Sequence, residues 1–551
     1  MLTRSEKKVA LLGALNCAVN MPYILGGLWL WSYDIFTHMF FAKHYREDWF
    51  NLYNYKWYGG FYQNIYPPLT HQIMAALMFL FSPAVSTAIV LVAFMFCFPV
   101  AMYNFCRIWA NKTDAFFGTL ASVFFTVFYL LIYKYGQITT LTASVFLLFA
   151  SVYFFMYLKT GRTRHAVLFA LCFVIIGCMH SFSFFYGLPS FMTLVFAYSL
   201  VSAPRRSLYG QVVKRAFFAA VPAALLFIVV MYPFLKELIN APQTTVVPHL
   251  SRESIFSNNF AFKVNLLLPY GVNCIFIPAA FLFKKFSRRT LANVWWFVLF
   301  ILGLGGTTPL PGIILGAKMF DTLTFDRFMF WSLLVFTPML GGYLAVIYKR
   351  SRKLLAAVLV LYVGSYIGLL QIDKKITFLP SRVDLREIIA FLDTPPNENY
   401  YYITLGLGDQ MSELSMDTKA PTLDGNFNKV RGPDITRDRP IEKLDNIKYY
   451  GEDAISALKN IINSPDKYSL KYILSNDIDY NPMLFNSGWK LIKRFECGVY
   501  LWNAPVQVPP AKIQYKNPKR GFDDIWWGTS SLAVFIFFII YGPLGGAYGK
   551  F

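Results

Sequence analysis

Over the first two-thirds of the chain, long apolar runs alternate with short polar segments; a polar stretch follows, and one more apolar run closes the sequence. Apolar runs of about 18–25 residues are long enough to cross a bilayer as helices. This pattern predicts spans at 9–31, 84–106, 115–133, 138–158, 166–180, 183–203, 216–235, 264–283, 291–306, 327–348, 354–371 and 525–547. The run Leu69–Ser82 is also apolar. At about 14 residues and 1.5 Å per residue it reaches roughly 21 Å, short of a hydrocarbon core of about 30 Å. It reads as an interfacial or re-entrant helix on the outer side.

From about Asp373 to Asp524, Pro-Asn, Asp-Gly and Asn-Ser turn signals separate helical patterns at 384–393 and 452–463 from strand-like runs at 399–404, 471–475, 489–495 and 498–502. The predicted fold is therefore a polytopic α-helical membrane protein with about twelve transmembrane helices and a small outward-facing α/β domain. It divides into a transmembrane module at 1–372 with its first outward loop at 32–83, an extracytoplasmic domain at 373–524, and a last transmembrane helix within 525–551.

Composition sharpens this. The 551 residues are 56% hydrophobic, 19% aromatic and 15% charged, where soluble domains carry about a quarter charged residues. The net charge of +21 would suit nucleic acid, but the basic residues sit in short loops: Arg4/Lys7/Lys8, Arg107/Lys112, Lys159/Arg162/Arg164, Arg205/Arg206/Lys214/Arg215, Lys284/Lys285/Arg288/Arg289 and Lys349/Arg350/Arg352/Lys353. That is the positive-inside pattern. It places both termini in the cytoplasm and 373–524 outside, and it argues against a nucleic-acid partner. No small-residue cleavage site follows the first run, so it reads as an uncleaved span. The seven cysteines are scattered without CxxC spacing, which indicates neither a disulfide framework nor a zinc site. With no disulfides and no retention signal, a plasma membrane is the expected location. GLGDQ (Gly406–Gln410) lacks the third glycine of a dinucleotide loop, and no Walker loop supports ATP-driven transport.

Candidate chemistry gathers in the first outward loop, WSYDIFTHMFFAKHYREDWFNLYNYKWYGGFYQNIYPPLT. Asp34 stands three residues past Trp31, at the edge of hydrocarbon, where an acid is costly. It reads either as the N-cap of a loop helix beginning at Ile35 or as a base that takes a proton from an attacking hydroxyl. His38, one helical turn on, either orients a substrate or the acid, or is an ordinary loop residue. Tyr66-Pro67-Pro68 forms a rigid elbow, since two prolines fix φ and remove two donors.

The second outward loop, YKYGQIT, carries Lys134 and Gln137 and no carboxylate. Further outward-side cations are His180, His249, Arg252 beside Glu253, and Arg327. Together they suit an anionic ligand, because guanidinium forks match phosphate and fixed cations stabilise a departing phosphate. Each has a structural alternative: Arg252 pairs with Glu253, Arg327 pairs with Asp326 or snorkels, His180 is a buried hydrogen-bonded histidine, and Lys134 marks an interface. The aromatic residues Trp49, Trp57 and Tyr58 fit a bilayer interface or the apolar faces of sugars equally well.

An acid after the first span, an aromatic outward loop and a Pro-Pro-Leu elbow entering an apolar helix resemble the GT-C class of membrane glycosyltransferases. More narrowly, YDIFTHMFFAKHY, GGFYQNIYPPLTH, LTFDRF, YYITLGLGDQ, PTLDGNF and KYIL resemble the prokaryotic membrane proteins labelled "6-pyruvoyl-tetrahydropterin synthase-related". The resemblance spans nearly the whole chain. It implies transfer of a sugar, with inversion, from a polyprenyl-phosphate donor to a glycan, lipid or protein acceptor on the outer face. Carried to this sequence, the acid of the first outward loop is Asp34. Members using a diphosphate donor tend to have further metal-binding acids in the first two loops. Glu47 and Asp48 remain as partners, but the missing second-loop acid and the ammonium of Lys134 favour a metal-independent, monophosphate-linked donor and no cofactor. The rival from another class is a flippase of lipid-linked saccharides, with twelve spans but no glycosyl transfer.

Overall fold

The computed structural model describes residues 4–240, 249–278, 290–372, 381–427, 443–445, 447–515 and 521–542. Among them, eight helices are long and apolar enough to cross a membrane: Glu6–Leu25, Pro83–Trp109, Ile138–Thr160, Ser183–Val201, Arg206–Val230, Asp326–Arg350, Arg352–Ile372 and Phe522–Tyr541. The chain is a multi-pass membrane protein. Helix Asp326–Arg350 is the hub: 89% of its apolar window is buried inside the protein, against 22% for Arg352–Ile372, whose side chains face outward.

Four predicted spans take other forms. Residues 166–180 and 291–306 become the shorter helices Thr163–Met179 and Thr290–Gly303. The run expected at 115–133 is broken: helix Lys112–Ser122 stops, and the backbone resumes as a π-helical turn at Tyr129–Lys134. The run expected at 264–283 breaks at Pro269 and at Gly271, whose φ of 49° no continuous helix accommodates, and its end lies outside the described residues. The two breaks meet, with Thr126 Oγ1 donating to the Pro269 carbonyl at 3.2 Å. Freed backbone groups at such breaks need partners from neighbouring elements, and each break supplies the other.

The first loop folds into a helix, Ile35–Glu47, buried along nearly its whole length, and a small ribbon of β1 (Tyr53–Asn54) with β2 (Phe61–Tyr62). The helix is covered on one side by Leu69–Met78 and on another by Gln410–Asp417 of the sheet-containing region. Leu69–Met78 has 10 residues, too few to cross a bilayer.

The polar region forms a mixed sheet of β3 (Tyr401–Leu405), β4 (Leu470–Ser475), β5 (Lys490–Arg494) and β6 (Tyr500–Asn503), in the order β3-β4-β6-β5. β3 and β4 pair in parallel, the others antiparallel. Helices Arg386–Leu392 and Glu452–Ile462 accompany it, close to the predicted 384–393 and 452–463. Phe522–Tyr541 then returns to the helical body, Trp527 donating to the Tyr45 hydroxyl at 2.8 Å.

Candidate active site where the first two loops meet

Asp34 precedes helix Ile35–Glu47, but its carboxylate makes no capping hydrogen bond. Asp34 occupies the N-cap position with a half-buried side chain that does not cap. Its backbone is fixed from outside: Tyr33 N donates to the Lys134 carbonyl at 2.8 Å, and Asp34 N to the Tyr135 carbonyl at 3.0 Å. The second loop turns against it at Gly136, with φ 63°. A Cβ there would lie 2.6 Å from Ser32 Oγ and 2.7 Å from Ile35 N, so only glycine permits this approach.

The elbow delivers Tyr66 to the same place. Tyr66 Oη and Thr139 Oγ1 hydrogen-bond at 3.1 Å. Burial pushes the Tyr66 phenol up to about 12, with the Asp34 carboxylate raising it further and the Arg327 guanidinium opposing. One hydroxyl thus lies in the field of both the acid of the first loop and a guanidinium nearly 300 residues away in the chain.

Arg327 belongs to a second group of polar side chains. It pairs with Asp326 at 3.3 Å, donates to Thr324 Oγ1, and lies 5.2 Å from the Phe182 ring centroid. Its Nε is buried and, among the described residues, without a hydrogen-bond partner. Gln137 Nε2 donates to Asp326 Oδ2 at 3.3 Å. His249 is pushed down to about 4 by burial, with Asp326 raising it and Arg252 and Arg327 lowering it. Arg252 donates to the Asp321 carbonyl, and Glu253 accepts from Asn258 Nδ2. Gln137, His249, Arg252, Asp326 and Arg327 therefore form one polar group, reached from the loop against which Asp34 is docked.

The other candidates are held by structural partners around this group. His180 is 5% exposed, with Nδ1 on Ser183 Oγ at 2.8 Å, which matches the buried-histidine alternative. Lys134 is buried with its ammonium 5.6 Å from the Tyr129 ring centroid, and its carbonyl holds Tyr33. His38 is buried with Nδ1 on His71 Nε2 at 2.9 Å, while His71 Nδ1 lies 3.2 Å from the Pro67 carbonyl. The Pro67 carbonyl can only accept, so His71 donates from Nδ1 and accepts at Nε2 from His38, and the pair braces the elbow with the His38 ring centroid 5.8 Å from that of Tyr66.

The sheet-containing region supplies residues that sequence reasoning missed. Lys443 and Asp409 form an ion pair at 3.1 Å with side chains 2% and 3% exposed. Asn426 Nδ2 donates both to Asp409 Oδ1 at 2.7 Å and to Thr37 Oγ1 at 2.9 Å, one turn beyond Asp34. Lys443 also lies 5.5 Å from the Tyr33 ring centroid. GLGDQ forms a tight turn whose Leu407 and Gly408 amides donate to the Asp445 carboxylate. The only signal in the sequence was the shortness of that glycine-rich turn.

Comparison with known proteins supplies a precedent for the fold. No protein-family model and no curated protein sequence matches the chain. Among solved structures, ArnT from Cupriavidus metallidurans in the apo state aligns with TM-score 0.53 at 12% identity, covering 90% of this chain and 99% of that one. The same protein bound to undecaprenyl phosphate aligns with TM-score 0.51 at 12% identity, covering 91% and 99%. The apo oligosaccharyltransferase of Archaeoglobus fulgidus aligns with TM-score 0.53 at 11% identity, covering 88% and 71%. The architecture shared with these proteins is a polytopic helical body with a small sheet-containing region, and at these identities the likeness is one of fold.

Proposed function

We propose that this protein is a membrane glycosyltransferase that moves a sugar from a polyprenyl-phosphate-linked donor to an acceptor hydroxyl on the outer face. The observation that supports this reading is the backbone docking of Tyr33 and Asp34 onto the second loop, the loop whose Thr139 holds the Tyr66 hydroxyl and whose Gln137 donates to Asp326 beside Arg327. Asp34 takes the proton of the acceptor hydroxyl as its oxygen attacks the anomeric carbon. The bond from that carbon to the phosphate oxygen breaks, with inversion, and the departing lipid phosphate carries the charge away. Arg327 and Arg252 stabilise that charge, with Gln137, Tyr66 and His249 alongside and no metal required. His38, Lys134, His180 and Glu253 support the walls of this site.

The fold shared with a protein solved with undecaprenyl phosphate and with an oligosaccharyltransferase supports a lipid-linked donor. The charge pattern supports a plasma-membrane protein with cytoplasmic termini and an extracytoplasmic domain at 373–524. The quoted loop and domain stretches support the narrower kinship with the "6-pyruvoyl-tetrahydropterin synthase-related" membrane proteins.

In proteoliposomes supplied with a polyprenyl-phosphate sugar, Asp34→Asn should reduce transfer by about 10²–10⁴-fold. Undiminished transfer overturns the mechanism. A flippase is the second reading, favoured by the two broken helices that meet at Thr126 and Pro269. Transbilayer movement of the lipid-linked sugar with no new glycosidic bond would establish it instead.

A further inference from the structure

A shallow, open groove lies between the end of the first helical segment and the turn before Gln410–Asp417. Trp31, Ser32, Phe36, Arg382, Asp409 and Gln410 line it. Ser32 and Phe36 stand two residues to either side of Asp34, and two residues of chain reach at most about 7 Å, so the groove lies close to the backbone that carries the acid.

Three features define what it would hold. First, its charges are already matched. Arg382 Nη2 donates to both Glu413 oxygens at 2.7 Å, and Lys443 answers Asp409 at 3.1 Å. A net charge on the ligand would find no uncompensated partner. Second, hydrogen-bond donors remain. Glu413 is served by Nη2, and among the described residues the Arg382 Nε and Nη1 hydrogens have no partner. Gln410 is committed, exchanging hydrogen bonds with the Val383 backbone at 2.8 and 3.1 Å, so Arg382 is the open donor. Third, Trp31 presents a large flat face, 46% exposed, with the Arg382 guanidinium 5.9 Å from its ring centroid and 4.9 Å from that of Phe36. An exposed aromatic face, forked donors and charge balance together suit a polyhydroxylated, uncharged ring with one apolar face.

We infer that this groove is a subsite for a neutral saccharide unit of the acceptor. The acceptor is then a glycan, with its receiving hydroxyl at Asp34 and an adjoining sugar against Trp31. The acceptor role rests on the transferase reading; the saccharide site does not.

The test uses the full chain in nanodiscs, titrated with maltose, cellobiose and α-1,6-mannobiose by saturation-transfer NMR. At least one disaccharide should bind. Trp31→Ala and Arg382→Gln should weaken it about tenfold or more, and Trp31→Phe less than about threefold. Because Trp31 is half-exposed, its replacement leaves folding intact, and a tryptophan serving only as a bilayer anchor would leave sugar binding unchanged. Binding of none of the three, or wild-type affinity in Trp31→Ala, overturns the proposal. Intact Trp31-dependent binding without any sugar transfer would instead overturn the transferase reading and leave the saccharide site standing.

Discussion

The backbone amide of Asp34 donates to the carbonyl of Tyr135 at 3.0 Å, a hydrogen bond between residues 101 positions apart. With its neighbour from Tyr33 to Lys134, it locks the turn carrying the acid to the loop carrying Gln137 and Thr139. The position of Asp34 is thus set by the second loop as much as by its own helix.

Gly136→Ala should expose that dependence. The new Cβ would meet Ser32 Oγ and Ile35 N below 3 Å, at a φ of 63° that alanine disfavours. We expect a loss of about 1–3 kcal/mol in stability and a larger fractional loss of transfer, because the acid itself must shift. Thermal melting and a proteoliposome transfer assay on one preparation check both.

Arg327→Ala should lower kcat/KM for a polyprenyl-phosphate sugar by roughly 10²–10³-fold, the usual cost of removing a group that stabilises developing charge. Arg327→Lys should recover only part of this, since an ammonium is a point charge without the planar fork that matches phosphate. Initial rates against donor concentration separate the two variants.

Lys443→Met should destabilise the contact between the sheet-containing region and the first-loop helix by about 3–5 kcal/mol, because Asp409 would be left charged and buried. The pair Lys443→Met/Asp409→Leu should regain much of that. Hydrogen exchange across Thr37, Ser412 and Asn426, joined at 3.2 and 2.9 Å, reports the outcome locally.

The His38–His71 pair predicts a pH dependence of definite sign. Burial pushes His71 down to about 3, while an unfolded histidine titrates near 6.5. Between those values the unfolded chain binds a proton that the folded chain does not, so this contribution to stability falls as pH drops from about 6.5 toward 3. His38 is lowered too, by burial and by His71, which reinforces the trend. His71→Asn lacks the term, so its melting temperature should approach that of the wild type on acidification. A constant difference between pH 7 and pH 4.5 would refute it.

Much of the helical body was legible because apolar length and basic flanks are local signals. The 138–158 and 327–348 spans reappear as Ile138–Thr160 and Asp326–Arg350. The breaks near Thr126 and Pro269 were not legible: Thr126 lies in an uninterrupted apolar run, and its break is matched by a partner 143 residues away. Strand periodicity likewise marked β4 and β6 but gave no hint that the sheet-containing region would deliver Asp409 and Lys443 to the helix behind Asp34.

The sequence by itself determined a membrane protein of many spans, a small α/β region, and an acid standing alone at the end of the first span. Those features depend on hydrophobic runs, strand-length patterns and the cost of a charge near hydrocarbon, all fixed by neighbouring residues. Only the tertiary structure decided what that acid faces. The second loop is brought to it by elements remote in the chain, through the Tyr33–Lys134 and Asp34–Tyr135 backbone bonds, and hydrogen bonds depend on distance in space, which spacing in sequence does not encode.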